Sequence, residues 1–167
     1  MKLNIRYIDK EMPKLVQDPK GDWIDLRVAN AVVTKNDKDS IKAGFKTSKH
    51  NNWVEDKIWY NKGDVVVVRL GVAIELPIDK KANIYPRSST FPTWGLLLTN
   101  AVGCIDNKYC GNDDEWLAVF YATRSGFIEK YERLCQFDVV DRMNVIFEEV
   151  DELLGIGRGG FGTTGQK

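Results

Sequence analysis

Apolar residues along this chain come in short runs set between turn-forming residues, with no long periodic stretch. "NIRYI" (4–8), "WIDLRVANAVV" (23–33), "DVVVVRLGVAIEL" (64–76) and "WGLLLTNAV" (94–102) are rich in β-branched or aromatic residues and are punctuated by Gly, Pro, Asn or Asp. That composition suits a pleated, half-buried surface. "EWLAVFYAT" (115–123), "LCQFDVV" (134–140) and "MNVIFEEV" (143–150) extend the series. Short strands at this spacing predict an all-β sandwich or barrel in preference to alternating β and α units. The run 127–137 places Phe127, Tyr131 and Leu134 three or four apart, so an amphipathic helix is the alternative there.

Two segments break the pattern. Between 34 and 62 polarity rises and periodicity fades, which predicts an excursion from the body pinned by Trp53 and Trp59. The tail "GIGRGGFGTTGQK" holds six glycines in 13 residues and has too few side chains to pack by burial, so it is a frayed end or an arm that orders on something. The expected organisation is one β domain over 1–154 followed by a mobile arm over 155–167.

Composition narrows the function classes. With 167 residues and 43% hydrophobic residues, the chain suits one core. Lys plus Arg and Asp plus Glu both number 24, so no global field attracts nucleic acid or an anionic membrane, and neither partner is expected. The apolar runs are too short for a transmembrane span and the start lacks a cleavable hydrophobic region, so the expectation is a soluble cytoplasmic protein, or one of the host cytoplasm for a viral source. Cys104, Cys110 and Cys135 are odd in number and form no metal-type pair; buried or half-buried free thiols are expected. The single histidine, His50, is expected at the surface, and without a second one no Ser-His-Asp arrangement is possible.

Candidate chemistry concentrates in "YPRSSTFPTWGLLLTNAVGCIDNKYCG", 85–111. Arg87 offers a planar fork of donors beside the hydroxyls of Ser88 and Ser89, a combination suited to phosphate oxygens. Pro86 fixes the local φ and favours a defined turn. The same turn serves equally well as plain structure. Asp106 follows Gly103 and Ile105 at an expected hairpin and precedes Tyr109 and Gly111. A carboxylate there activates water, caps the turn or faces solvent, and Tyr109 packs beneath a flat ligand or within an ordinary strand.

These residues resemble the homotrimeric dUTP pyrophosphatases, or dUTPases. "IDLRVA" (24–29) is similar to the first motif of the family, "PRSS" (86–89) to the second, "GLLLTNAVGCIDNKYCG" (95–111) to the third, "RLCQ" (133–136) to the fourth and "RGGFGTTG" (158–165) to the fifth. All five stand in the family's order, over about residues 20–165 apart from the excursion.

The resemblance implies a distorted jelly roll, a homotrimer with sites built across subunit interfaces, and cleavage of dUTP to dUMP and pyrophosphate. It implies Mg²⁺ held chiefly by the substrate triphosphate, with Asp25 near the metal's water shell. It makes Asp106 the carboxylate that activates the attacking water and Tyr109 the aromatic against deoxyribose. Asn100, Gly103 and Ile105 fall at the uracil-recognising part, and Arg87, Ser88, Ser89 and Gln136 on the phosphate side. In the tail, Phe161 corresponds to the aromatic that covers the base, with Gly162 and Thr163 beside it.

Several positions depart from the family. Ile156 stands where a tail arginine is usual, and Arg158 lies three before Phe161, so Arg158 is the expected phosphate clamp in a shifted register. "GNDDE" (111–115) implies a longer bend than the usual Gly-Glu, and "YER" (131–133) replaces a glycine-containing turn. Two rivals share the fold: a dCTP deaminase-like enzyme, and a catalytically inactive nucleotide- or protein-binding module. The deaminase needs a glutamate inside the strand after the third motif, whereas "EWLAVFYAT" has Glu115 only at its start; Asp106 argues against lost catalysis. The excursion at 34–62 offers a surface to a regulatory protein partner, though no motif names one.

Overall fold

The computed structural model describes residues 1–47 and 53–157. The strands are β1 (Asn4–Tyr7), β2 (Ile24–Arg27), β3 (Asn30–Thr34), β4 (Lys57–Tyr60), β5 (Val65–Arg69), β6 (Val72–Glu75), β7 (Lys80–Pro86), β8 (Leu96–Leu98), β9 (Gly103–Ile105), β10 (Leu117–Ala122), β11 (Gly126–Glu129) and β12 (Arg133–Asp141); the helices are α1 (Lys38–Lys46) and α2 (Thr90–Trp94). Two four-stranded antiparallel sheets, ordered β3-β5-β10-β8 and β2-β12-β7-β9, are joined by the pairs β1-β6 and β4-β11. Side chains of both sheets meet in one buried cluster, with Val66, Val68 and Phe120 from the first and Leu26, Ile84 and Phe137 from the second. Trp116 packs edge-on against Phe137 at 5.1 Å.

The two longest apolar runs each divide between sheets. The run 23–33 ends β2 at Arg27 and restarts as β3 at Asn30; the run 64–76 breaks at Leu70 and Gly71. Gly71 has φ +67°, and a Cβ there would stand 2.6 Å from the Ala29 Cβ, so the two crossings touch where only glycine fits. All five residues of β5 are buried. Val66 and Val68 face the core, while Val67 on the opposite face meets Gly44 of α1, where an added Cβ would lie 3.2 Å from it. A strand covered on both faces reads as continuous valine.

The polar excursion contains α1 and β4. Asp37 caps α1, its Oδ1 accepting the Asp39 and Ser40 N–H groups at 3.1 and 2.9 Å. Trp53 pins the segment, donating its indole N–H to the Ala29 carbonyl at 3.2 Å. Trp59 does not: it is 62% exposed and only leans on Phe127. His50 lies outside the described residues.

Other expectations are corrected. Residues 127–137 form β11, a turn and the start of β12, with no helix, because Tyr131 takes φ +65° and ends the first strand. Residues 143–150 form no strand; Met143, Ile146 and Phe147 are 81%, 95% and 92% exposed, since no edge within the chain is paired with them. Cys135 is buried as expected, but Cys104 and Cys110 are exposed, being carried on β9 and the bend that follows it.

Tyr60 gives the core a pH dependence. Its hydroxyl donates to the Trp94 carbonyl at 2.7 Å, and burial pushes the phenol from 10 up to about 12. A pKa raised by folding contributes stability that is whole below pH about 10 and is lost as pH climbs through about 12. Denaturant midpoints between pH 9 and 12 should fall less for Tyr60→Phe than for the parent protein; parallel declines would contradict this role.

Candidate active site

Four of the quoted motifs meet in the sheet β2-β12-β7-β9. Asp25 lies directly opposite Gln136, and Gln136 opposite Tyr85, so the three share one face. Asp25 Oδ1 pairs with Arg87 Nε and Oδ2 with Arg133 Nη1, both at 2.8 Å. Two guanidinium groups against one carboxylate leave a local charge of +1, the sign that attracts phosphate. Arg133 is a site residue beyond those expected from sequence; its place in the fourth motif, directly before Leu134-Cys135-Gln136, is the sequence signal for it.

The Arg-Ser-Ser turn is held from beneath by the residue that directly follows it, Thr90, which no motif pattern marks. Thr90 is fully buried; its hydroxyl accepts the Arg87 N–H at 3.0 Å and donates to the Leu134 carbonyl at 2.7 Å. Ser88 is exposed and Ser89 half-buried. Ser89 occupies the N-cap position of α2 without spending its side chain on the cap.

Asp106 follows β9 and is exposed. Its Oδ1 accepts the Lys108 N–H at 2.8 Å and its main-chain carbonyl accepts the Tyr109 N–H at 3.0 Å; among the described residues its Oδ2 receives no hydrogen bond. One oxygen caps the turn and the other is open to a water. The Tyr109 hydroxyl donates to the Glu115 carbonyl at 3.0 Å, and burial, with Asp114 and Glu115 nearby, raises its pKa. Asp106, Tyr109, Ile105, Cys104, Glu115 and Leu117 line a cavity of about 340 Å³, within the range of small-ligand sites. Gly103 lies close against Ile84, where a Cβ would stand 3.1 Å from the Ile84 Cβ. Asn100 is exposed on the turn between β8 and β9.

The two groups of residues are far apart within one chain. Ile105 pairs with Ala82 and Gly103 with Ile84, so Asp106 sits past the Ala82 end of β7 and Arg87 past the other. Five residues of strand span roughly 15–20 Å. Arg158, Phe161, Gly162 and Thr163 lie outside the described residues.

Comparison with known proteins bears on this arrangement. No protein-family model matches the chain. A SPbeta prophage-derived deoxyuridine 5'-triphosphate nucleotidohydrolase, YosS, of Bacillus subtilis is 37% identical over 168 residues, covering all of both chains. The chain belongs to the deoxyuridine 5'-triphosphate nucleotidohydrolase family. Within the family, the Hydrogenobaculum enzyme is 35% identical over 116 residues, covering 68% of this chain and 80% of its own. The dUTPase of Staphylococcus bacteriophage 80alpha, solved with dUPNHPP, matches with TM-score 0.66 over 98% of both chains at 17% identity. A dUTPase from Streptococcus mutans matches with TM-score 0.60 at 18% identity, covering 86% of this chain and 98% of that one. At those identities the likeness is one of fold, and it makes the two sheets the family's jelly roll.

Proposed function

We propose that this chain hydrolyses dUTP to dUMP and pyrophosphate, limiting dUTP and supplying dUMP. The observation that carries the reading is the full-length relationship to the prophage nucleotidohydrolase together with the open Asp106 carboxylate oxygen beside Tyr109. Asp106 Oδ2 takes a proton from water as the water oxygen bonds to the α-phosphorus, and the bond from that phosphorus to the bridging oxygen breaks to release pyrophosphate. Tyr109 stands against the sugar; Asn100 and the main chain at Gly103 and Ile105 face the uracil. Arg87, Arg133, Ser88, Ser89 and Gln136 meet the phosphates, where donors stabilise the charge that develops.

Mg²⁺, carried chiefly by the triphosphate, adds to that charge stabilisation. The residues fit such a metal. No group of three or more His, Cys, Asp or Glu among the described residues could hold one alone, and both oxygens of Asp25 are engaged by guanidinium groups, which suits contact through water.

The separation along β7 supports a site shared between copies. The exposed apolar side chains of Ile146, Phe147, Leu153, Leu154 and Ile156 support the same reading, since such a series calls for cover. We assign residues 1–154 to the β unit and 155–167 to an arm that closes over a neighbour's site, bringing Phe161 onto the base and Arg158 onto the phosphates. Light scattering should report about three chains per particle, the closed cyclic solution; a fully active monomer would refute it. No helix among the described residues is long and apolar enough to cross a membrane.

Purified protein offered dUTP, dCTP, dTTP and UTP with Mg²⁺ tests the activity: pyrophosphate and dUMP should come from dUTP. Ammonia from dCTP would establish the deaminase instead, and binding without turnover the inactive module. Glu115 weighs against deamination, because both its oxygens are already held, by Arg69 and the Gly71 N–H.

A further inference from the structure

Beneath the cavity lies a buried ion pair that the reaction does not use. Arg69 and Glu115 are 6% and 8% exposed. Arg69 Nη1 donates to Glu115 Oε2 at 2.7 Å, and Glu115 Oε1 accepts the Gly71 N–H at 3.0 Å. Arg69 Nη2 reaches away to the Phe45 carbonyl in the last turn of α1, also at 2.7 Å. Such a pair adds little stability beyond apolar residues of the same size, because desolvation offsets the attraction.

Its geometric effect is larger. The Glu115 carbonyl is the acceptor of the Tyr109 hydroxyl, and the Tyr109 N–H closes onto the Asp106 carbonyl. Between Tyr109 and Glu115 the bend is tied to itself, with Gly111 N–H on Asp114 Oδ2 at 2.7 Å and Asp114 N–H on the Gly111 carbonyl at 3.1 Å. Glu115 is thus one of the points at which this closed bend is fastened to the body, beside Arg6 of β1, whose Nη1 donates to the Asn112 carbonyl, and the Trp116 N–H, which donates to the Val72 carbonyl. A displacement of its carbonyl moves the phenol, while Asp106 keeps its own bond to the Lys108 N–H.

We propose that Arg69 and Glu115 are positioning residues: they fix the carbonyl on which Tyr109 seats, setting the ring against the sugar, and they join that point to α1 of the excursion. The proposal rests on the nucleotide-site reading of the cavity. A ring held at one height excludes a sugar with an additional hydroxyl, so the pair tunes the choice between dUTP and UTP while leaving the proton acceptor in place.

The test compares Glu115→Gln, the apolar pair Arg69→Met with Glu115→Leu, Tyr109→Phe, and the double variant Tyr109→Phe with Glu115→Gln. Melting temperature, kcat and KM for dUTP and UTP, and the ring NMR signal of Tyr109 in ligand-free protein are measured, the signal being identified by its loss in Tyr109→Phe. Glu115→Gln should shift the Tyr109 signal, raise KM for dUTP more than it lowers kcat, and reduce the preference for dUTP over UTP about tenfold, the scale of one displaced pocket contact. The apolar pair should melt near the parent protein yet lose preference to the same degree, which a purely structural role does not predict. The double variant should be no worse than the poorer single one, because both changes break one link. An unmoved ring signal with parental preference in folded Glu115→Gln, or losses that multiply in the double variant, would overturn the proposal. Parent protein inactive on dUTP would instead overturn the functional reading, and the ring signal still reports positioning without turnover.

Discussion

Asp106→Asn should lose about 10² or more in turnover of dUTP while keeping its fold and its affinity for the nucleotide. The turn gives this substitution its resolving power. Asp106 Oδ1 accepts the Lys108 N–H, and the carbonyl oxygen of asparagine can accept the same bond. What changes is the second oxygen, which receives no donor among the described residues and becomes an amide group unable to take a proton. Steady-state kinetics with saturating dUTP and Mg²⁺, read beside a melting curve, separate the possibilities. Parental turnover in the variant would remove Asp106 from the chemistry. A lowered melting temperature with turnover falling only in step would reduce it to a cap.

The other large effect belongs to the core. Phe120 is fully buried in the middle of β10, opposite Val66 on β5 and Leu98 on β8, so Phe120→Ala opens a hole that strands paired on both sides cannot close. The expected loss is about 3–5 kcal/mol, or a hundredfold and more in the folding equilibrium. Denaturant unfolding followed by tryptophan fluorescence at fixed protein concentration measures it. A loss below about 1 kcal/mol would mean that the β5-β10 face relaxes, contrary to ordinary close packing. Phe120 does not line the cavity beside Asp106, so the folded fraction should keep the parental KM.

Strands whose faces alternate or whose run is valine-rich were legible, as at 64–76 and 115–123, because burial is written directly into side-chain type. Elements held by something other than their own apolar content were not. α1 has only Ile41 and Phe45 at helical spacing within nine residues, too short a stripe to stand out, and β7 reads "KKANIYP", with lysines at one end and a proline at the other. At 143–150 the apolar pattern is real, but none of the edge strands among the described residues pairs with it. The site divides in the same way. Asp106 and Tyr109 are three residues apart in one turn and were visible together, with the family resemblance assigning their roles. The meeting of Asp25 with Arg87 and Arg133 depends on strand pairing between distant segments, and the bond from Arg69 to Glu115 spans 46 positions. Contacts of that range leave no local spacing to read.

The distance from Arg87 to Asp106 along β7 also bears on inheritance. Where every site borrows its carboxylate from one copy and its guanidinium from another, an allele without Asp106 and an allele without Arg87 are each barren alone. Expressed together they form hybrid particles in which the intact halves of the two products face one another, so the alleles complement within a single gene. By the same geometry, a mixture of sound and Asp106-deficient chains loses sites only in proportion to the deficient share, because each site draws a single carboxylate. In particles built that way, such a lesion would be recessive and would not poison its partners.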